Sequence, residues 1–309
     1  MTKIFIDGSA GTTGLRIADR LAARQDISLI TLPEELRKDT AARKEALNAA
    51  DIAFLCLPDK AAIEAVELID NPHTAVIDTS TAHRTNPAWA YGFPELAGQR
   101  QKIASSKRIA NPGCHASGFV ALVAPLVKAG LLAADTALTC FSLTGYSGGG
   151  KQMIAAYNAE ERDPLLGAPR QYGLSQQHKH LPEMAALCGL STLPIFCPIV
   201  GDFYSGMEVT VPLFAKDLKG SAADIAAVYR ENYTGTLVHF DENADEGGFL
   251  SAAAFSGRDD MQLTLSGNDE RLLLTARFDN LGKGASGAAI QNMNILLGAD
   301  ETTGLVIGG

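Results

Sequence analysis

Residues 3–14 read KIFIDGSAGTTG, and this stretch decides the fold. Lys3–Asp7 is a short apolar run of strand length, and a glycine-rich turn follows it at once. Beyond the turn, Leu15, Ala18, Leu21 and Ala22 share one face of a helix expected over Thr13–Arg24. The alternation continues outward from there. Ile27–Leu32 reads as a strand, Arg37–Ala49 as a helix, Asp51–Leu57 as a strand, Lys60–Leu68 as a helix and Ala75–Asp78 as a strand. Strands alternating with helices at this period need crossover connections, which gives a parallel, doubly wound α/β sheet.

The turn itself is Gly8, Ser9, Ala10, Gly11, Thr12, Thr13 and Gly14. Glycines let the backbone approach a pyrophosphate, and the helix start behind them offers free N–H groups and a positive dipole end. The spacing is GxxGxxG where GxGxxG is the usual form, and any tight strand-to-helix turn needs glycine. Its place between the first strand and the first helix favours dinucleotide binding over a plain turn. An acid after the second strand would suit NAD, and a cation would suit the 2′-phosphate of NADP. Here Glu34 and Glu35 are followed by Arg37 and Lys38, so the pattern leaves both open.

After about residue 112 the pattern changes. A long apolar helix over Ala116–Ala129 precedes strand-like runs at Thr136–Thr144, Ile195–Val200 and Met207–Leu213. Met261–Ser266 and Arg271–Phe278 form a hairpin pattern that turns at Gly267-Asn268. These predict an α+β second lobe with a largely antiparallel sheet. A last helix, Ala285–Leu297, fits either lobe by pattern alone.

Composition narrows the function. The 309 residues are 46% hydrophobic and 20% charged, as in an ordinary folded enzyme, and long enough for two lobes. Lys and Arg total 26 against 35 Asp and Glu, leaving −9 and a pI near 5.2, which disfavours nucleic acid as a partner. No apolar run approaches the length that spans a bilayer. The first residues enter a strand without a basic, apolar leader, so a cytoplasmic protein is expected. Cys56, Cys114, Cys140, Cys188 and Cys197 are scattered and odd in number, so reduced thiols are expected too.

Two segments carry chemistry. In Asn111-Pro112-Gly113-Cys114, the proline and glycine break the chain and place Cys114 at the start of the long helix, where the dipole favours a thiolate. The alternative is a small cysteine packed under a turn. In His178-Lys179-His180-Leu181-Pro182-Glu183, the proline suits a first helical turn, and Glu183 is placed to orient the His180 imidazole. A solvated basic loop is the other reading. Zinc would need further ligands at a recognisable spacing, and none is found, so no metal is expected.

Taken together, the GSAGTTGL turn, the Asp78-Thr79-Ser80…His83-Arg84 run, Trp89…Tyr91-Gly92-Phe93-Pro94-Glu95-Leu96, NPGC, Ser147-Gly148-Gly149-Gly150-Lys151, HKHLPE and DNLGKGASG resemble one family. It is the N-acetyl-γ-glutamyl-phosphate reductases, in their shorter form. The resemblance implies a Rossmann lobe with a catalytic lobe like that of glyceraldehyde-3-phosphate dehydrogenase. It implies residues 1–112 with 287–309 for NADP binding, and 113–286 for catalysis and oligomer formation. It also implies NADPH-dependent reduction of an acyl phosphate to an aldehyde, with Cys114 as nucleophile and His180 as acid–base group. His178 and Glu183 would lie near substrate. Arg84, Ser147, Gly148 and Lys151 are the further substrate-binding candidates, with the glycine N–H groups as an anion nest. For the cofactor, Arg37 joins the glycine turn, and Gln291 and Asn292 fall where related enzymes approach the nicotinamide. The partners expected are a small acyl phosphate, phosphate and further copies of the chain, as a dimer or tetramer. An aspartate-semialdehyde dehydrogenase-like reductase shares this chemistry. A non-catalytic nucleotide-binding protein would have lost Cys114 or His180, and both are present.

Overall fold

In the computed structural model, which describes residues 1–308, the chain divides into two units. Met1–Pro94, Gly98–Pro112 and Ala285–Leu305 form the first; Glu95–Ala97, Gly113–Gly284 and the segment from Val306 form the second.

The first unit begins with β1 (Thr2–Asp7), α1 (Thr12–Ala22), β2 (Ile27–Ile30), α2 (Thr40–Ala49), β3 (Ile52–Leu55) and α3 (Asp59–Glu67). It continues with β4 (Ala75–Asp78), β5 (Ala90–Tyr91), α4 (Gln99–Ser105) and β6 (Arg108–Ala110). The strands lie in the order β2-β1-β3-β4-β6-β5, all parallel. Side chains alternate between faces, so each strand feeds two cores. Ile4, Ile6, Ile52, Phe54, Ile77 and Ile109 meet Ile17 and Leu21 of α1 on one face. Phe5, Ala53, Leu55 and Val76 meet Leu47 of α2 and Ala62 and Ala65 of α3 on the other. Several sequence boundaries shift by one to three residues, two of them for visible reasons. α2 starts at Thr40 because Asp39 caps it, accepting the Ala42 N–H at 2.8 Å. β2 stops at Ile30, shortly before Pro33.

The second unit contains α5 (Cys114–Lys128), β7 (Thr139–Gly145), α6 (Gly150–Tyr157), β8 (Arg170–Gln171), α7 (Leu181–Cys188), β9 (Ile195–Gly201) and β10 (Met207–Phe214). α8 (Ala222–Asn232), β11 (Val238–Phe240), β12 (Met261–Gly267) and β13 (Arg271–Phe278) complete it. Its sheet runs β11-β12-β13-β10-β7-β9-β8. The pairings β12–β13, β13–β10, β10–β7 and β9–β8 are antiparallel, whereas β11–β12 and β7–β9 are parallel. The sheet is thus mixed with an antiparallel majority. After it, α9 (Gly287–Leu297) brings Ile290 and Met293 back to the core of the first unit. The chain then re-enters the second unit, where Asp259 N–H donates to Val306 C=O and Val306 N–H to the Asp259 carboxylate, at 2.7 and 2.8 Å.

α5 is buried on nearly every side, which its apolar sequence permits all round. Gly118 lets it approach the sheet, since a Cβ there would lie 2.7 Å from Val209 and 2.9 Å from Phe278. Pro125 sits inside this helix and has no N–H, so the Ala121 carbonyl loses its intrahelical donor. Tyr233, just after α8, supplies the replacement: its hydroxyl donates to Ala121 C=O at 2.6 Å. Tyr229 donates likewise to Leu122 C=O at 2.7 Å. Tyr233→Phe therefore leaves a buried carbonyl without a donor and should lower unfolding stability by about 1–3 kcal/mol. In a Pro125→Ala background the peptide N–H returns, and urea unfolding should show the same tyrosine change costing clearly less.

Candidate active site

The glycine turn of the first unit closes with the Gly11 N–H donating to Gly8 C=O at 2.9 Å. Gly8 has φ +86°, and a Cβ there would fall 2.3 Å from the Cys56 carbonyl oxygen. A Cβ at Gly14 would fall 2.5 Å from the Gly8 oxygen. Only glycine fits either place, and the result is a bare backbone approach beneath the first turn of α1. Thr12, Thr13 and Gly14 lie in that turn, where N–H groups have no helical acceptor.

Ser9 and Ala10 border a cleft of about 480 Å³, with Thr31, Arg37, Lys38 and Arg43 also in its wall. Arg43 is fixed by Asp7, at 2.8 Å from Nη2 and 3.1 Å from Nε. Arg37 and Lys38 are exposed and make no ion pair among the described residues. A cleft with a bare glycine edge and two free cations suits a phosphorylated dinucleotide.

At the end of β4, the buried Asp78 carboxylate lies 2.6 Å from His83 Nδ1 and accepts the Ser80 hydroxyl at 2.7 Å. His83 stacks on Trp89 with ring centroids 4.0 Å apart. Arg84 is buried, and its guanidinium braces backbone: Nε donates to Asn111 C=O and Nη2 to Thr79 C=O, both at 2.9 Å. On α9, Asn292 donates to Gly92 C=O and to Asn111 Oδ1 at 2.9 and 3.1 Å. Its own Oδ1 is buried with no partner among the described residues. Gln291 donates to Glu301 at 2.9 Å.

The second unit assembles the reactive cluster. Gly113 caps α5 and Cys114 is its first residue, half-buried, at the positive end of the helix. The Gly113 N–H donates to Glu183 Oε1 at 2.8 Å. Glu183 is almost wholly buried in the first turn of α7, so this carboxylate joins the starts of two helices. The sequence suggests His180 as the partner of Glu183, and the bond to Gly113 is a contact that it does not foresee.

His115, next to the cysteine, is clamped at both ring nitrogens. Nδ1 lies 2.6 Å from Ser142 Oγ, and Nε2 lies 2.7 Å from Tyr172 Oη. Burial, with a smaller contribution from His178, pushes its pKa down to about 3, so the ring is neutral. Burial also raises the Tyr172 phenol, and Cys114 adds to the effect. His178 packs edge-on to His180 and Phe196, with centroids 4.8 and 5.1 Å away. Its Nδ1 accepts the His180 N–H at 3.2 Å. Burial and then Lys179 lower its pKa. His180, itself buried, precedes α7.

The closing motif supports this cluster from below. A Cβ on Gly284 would lie 3.0 Å from the Cys114 Cβ, so glycine is needed for the approach. Lys283 and Glu95 form a buried ion pair at 2.7 Å. Asn280 accepts the Gly206 N–H and donates to Ser147 Oγ, both at 3.0 Å. Gly148 and Lys151 are exposed, and Lys151 makes no ion pair among the described residues. Burial pushes the thiols of Cys140 and Cys188 up, and that of Cys56 to about 12, which leaves Cys114 as the cysteine set at a helix start. Among the described residues no group of three or more His, Cys, Asp and Glu side chains forms a place for a metal ion. No helix among them is long and apolar enough to cross a membrane.

Residues 13–106 match the family model of the semialdehyde dehydrogenase NAD binding domain, and 114–280 that of the semialdehyde dehydrogenase dimerisation domain. An N-acetyl-gamma-glutamyl-phosphate reductase of Brucella ovis is 48% identical over 96% of this chain and 99% of its own. The protein named N-acetyl-gamma-glutamyl-phosphate reductase 2 in Pseudomonas putida is 47% identical over 97% and 98%. The chain belongs to this reductase family. The fold is shared more widely. Aspartate semialdehyde dehydrogenase II of Vibrio cholerae and a probable one of Pseudomonas aeruginosa both superpose with TM-score 0.70, at 14% and 15% identity. Each covers 96% of this chain and is itself covered to 98%.

Within this reductase chain, sequence reasoning misses His115, Ser142, Tyr172 and Arg43. His115 alone had a signal, its place beside Cys114. Its neutrality has a measurable consequence. Between pH 6.5 and 3 the unfolded chain binds a proton there that the folded chain refuses, so stability present above pH 6.5 is lost as pH falls. This contributes about 1.4 kcal/mol per pH unit within that window. Urea unfolding at several pH values should show His115→Gln with a correspondingly shallower loss on acidification.

Proposed function

We propose that the chain reduces N-acetyl-γ-glutamyl phosphate to N-acetylglutamate 5-semialdehyde and phosphate, with NADPH as cofactor, Cys114 as nucleophile and His180 as acid–base group. The observation that carries this reading is Cys114 at the start of a buried helix, next to His115, whose ring packs with those of His178 and His180, in a chain 48% identical to reductases of that name. Nucleotide binding is assigned to the first unit and acyl transfer to the second. Among the described residues the five cysteines form no disulfide, in keeping with a reducing, cytoplasmic setting.

The Cys114 thiolate attacks the γ-acyl carbon, the acyl–oxygen bond breaks, and phosphate leaves with the electron pair. The product is a thioester, a better hydride acceptor than a carboxylate because it carries no charge. The nicotinamide dinucleotide, when bound, supplies the hydride. His180 then gives a proton to the oxyanion, and the thiohemiacetal collapses to aldehyde and thiol. Helix α5 favours the thiolate at its start in both half-reactions. Lys151 and the N–H groups near Gly148 are assigned to the substrate anion. Arg37 and Lys38 favour NADPH, because a 2′-phosphate would find two cations without carboxylate partners. Arg84 and Asn292 hold the backbone before the nucleophile.

A second copy of the chain is the expected partner. Phe141, Ile195, Phe214 and Leu273 belong to neighbouring strands of the mixed sheet and share one exposed face by register. Such a contiguous apolar face calls for a cover. Phe141→Asp combined with Ile195→Asp should shift the protein toward monomer in sedimentation velocity, with its far-ultraviolet spectrum kept.

The reverse reaction tests the catalytic reading. N-acetylglutamate semialdehyde, phosphate and NADP+ should produce NADPH with the wild type and none with Cys114→Ser, while the variant still binds NADP+. Turnover by the serine variant near the wild-type rate would exclude the covalent route. In the same assay, Arg37→Ala with Lys38→Ala should raise KM for NADP+ by at least about tenfold and leave that for NAD+ nearly unchanged. Equal effects on both cofactors would remove the cations from 2′-phosphate recognition.

A further inference from the structure

The two histidines of HKHLPE differ in what their rings offer. His178 Nδ1 accepts the backbone N–H of His180 at 3.2 Å, so that nitrogen carries a lone pair and no proton. A neutral ring then bears its proton on Nε2. That nitrogen has no partner among the described residues, and the side chain is only half-buried, so the cluster holds a donor that no protein group takes up.

We propose that His178 serves as a neutral hydrogen-bond donor, through Nε2–H, to the substrate oxygen that gains negative charge when Cys114 attacks. The inference rests on the acyl-phosphate reading above and assigns this ring a separate task from His180. No bond to His178 forms or breaks. The carbonyl oxygen becomes an oxyanion as the sulfur–carbon bond forms, Nε2–H lies against it, and the carbonyl returns as phosphate departs. The same contact serves again when hydride reaches the thioester, until His180 supplies the proton. A fixed donor aimed at developing charge needs no reorganisation during the reaction.

The surroundings hold the ring in this form. Protonation at Nδ1 would replace an accepted hydrogen bond by two facing N–H groups. The rings packed against it are His115, itself neutral and clamped, His180, Tyr172 and Phe196. None offers His178 a carboxylate. The nearby charge of Lys179 is positive and disfavours a second cation, and burial acts in the same direction.

Glutamine reproduces a donor near the reach of Nε2 and cannot take part in proton transfer at neutral pH. His178→Gln should therefore keep kcat within about tenfold of wild type, with the pH–rate profile unchanged, whereas His178→Leu should lose about 10²–10³. A glutamine variant as slow as the leucine one, or one missing a limb of the pH profile, would overturn the proposal. Nitrogen-15 spectra of histidine-labelled wild type give a test independent of turnover and of the variants' folding. At pH 7 His178 should show a protonated Nε2 and a bare Nδ1. A proton on Nδ1, alone or with Nε2, would refute the assignment even if the semialdehyde proved to be the wrong substrate.

Discussion

One carboxylate governs the reactive end of the molecule. A helix start exposes N–H groups that need acceptors, and when that start is buried the protein must provide them. Glu183 accepts the N–H of Gly113, the residue that caps α5, and so takes the donor just outside the helix. The first-turn donors beyond it remain at the side of Cys114. The position of the sulfur then depends on α7 as much as on α5. His115 adds a second restraint one residue on, tied to β7 through Ser142 and to the end of β8 through Tyr172. Gly284 closes the site from the remaining direction, and its missing side chain is what allows contact with the cysteine.

The electrostatics follow from burial more than from net charge. The chain carries −9, yet burial, not that net charge, disfavours the charged forms of His115 and His178 in the cluster. This preserves the helix field at Cys114, which extra cations would otherwise blur and unpaired carboxylates would oppose. Cationic charge is instead exposed at the cleft beside the glycine turn and on α6. Arg43 differs from Arg37 and Lys38 in being neutralised by Asp7, so it shapes the cleft without adding to its field.

The sequence discloses the first sheet well because strand, turn and helix follow one another locally and buried parallel strands are apolar throughout. The second sheet is less legible. Each of its strands is visible, but β7 pairs parallel with β9 across fifty residues, and nothing within either strand specifies that direction. In the site, Cys114 and His180 are marked by Pro112-Gly113 and by Pro182, which announce helix starts. Tyr172 and Ser142 have no such marker, being single polar residues just after β8 and within β7. The bond from Gly113 to Glu183 is unmarked for a related reason: it joins a carboxylate to a backbone group seventy residues away. Arg84 suggests an anion contact, and its bonds to two carbonyls at the ends of β4 and β6 have no marker in the sequence.

The return of α9 also bears on how the protein is made. The first unit contains strands complete by residue 110, yet one of its two apolar layers lacks Ile290 and Met293 until the end of the chain is synthesised. On the ribosome, the emerging sheet must therefore wait, with Ile4, Ile52 and Ile77 exposed or transiently covered, while nearly two hundred further residues emerge. Synthesis at roughly 5–20 residues per second makes that interval on the order of ten seconds or longer. The nucleotide-binding unit is thus the first to begin and among the last to finish, and its need for chaperone shelter during translation is written into the position of a single helix.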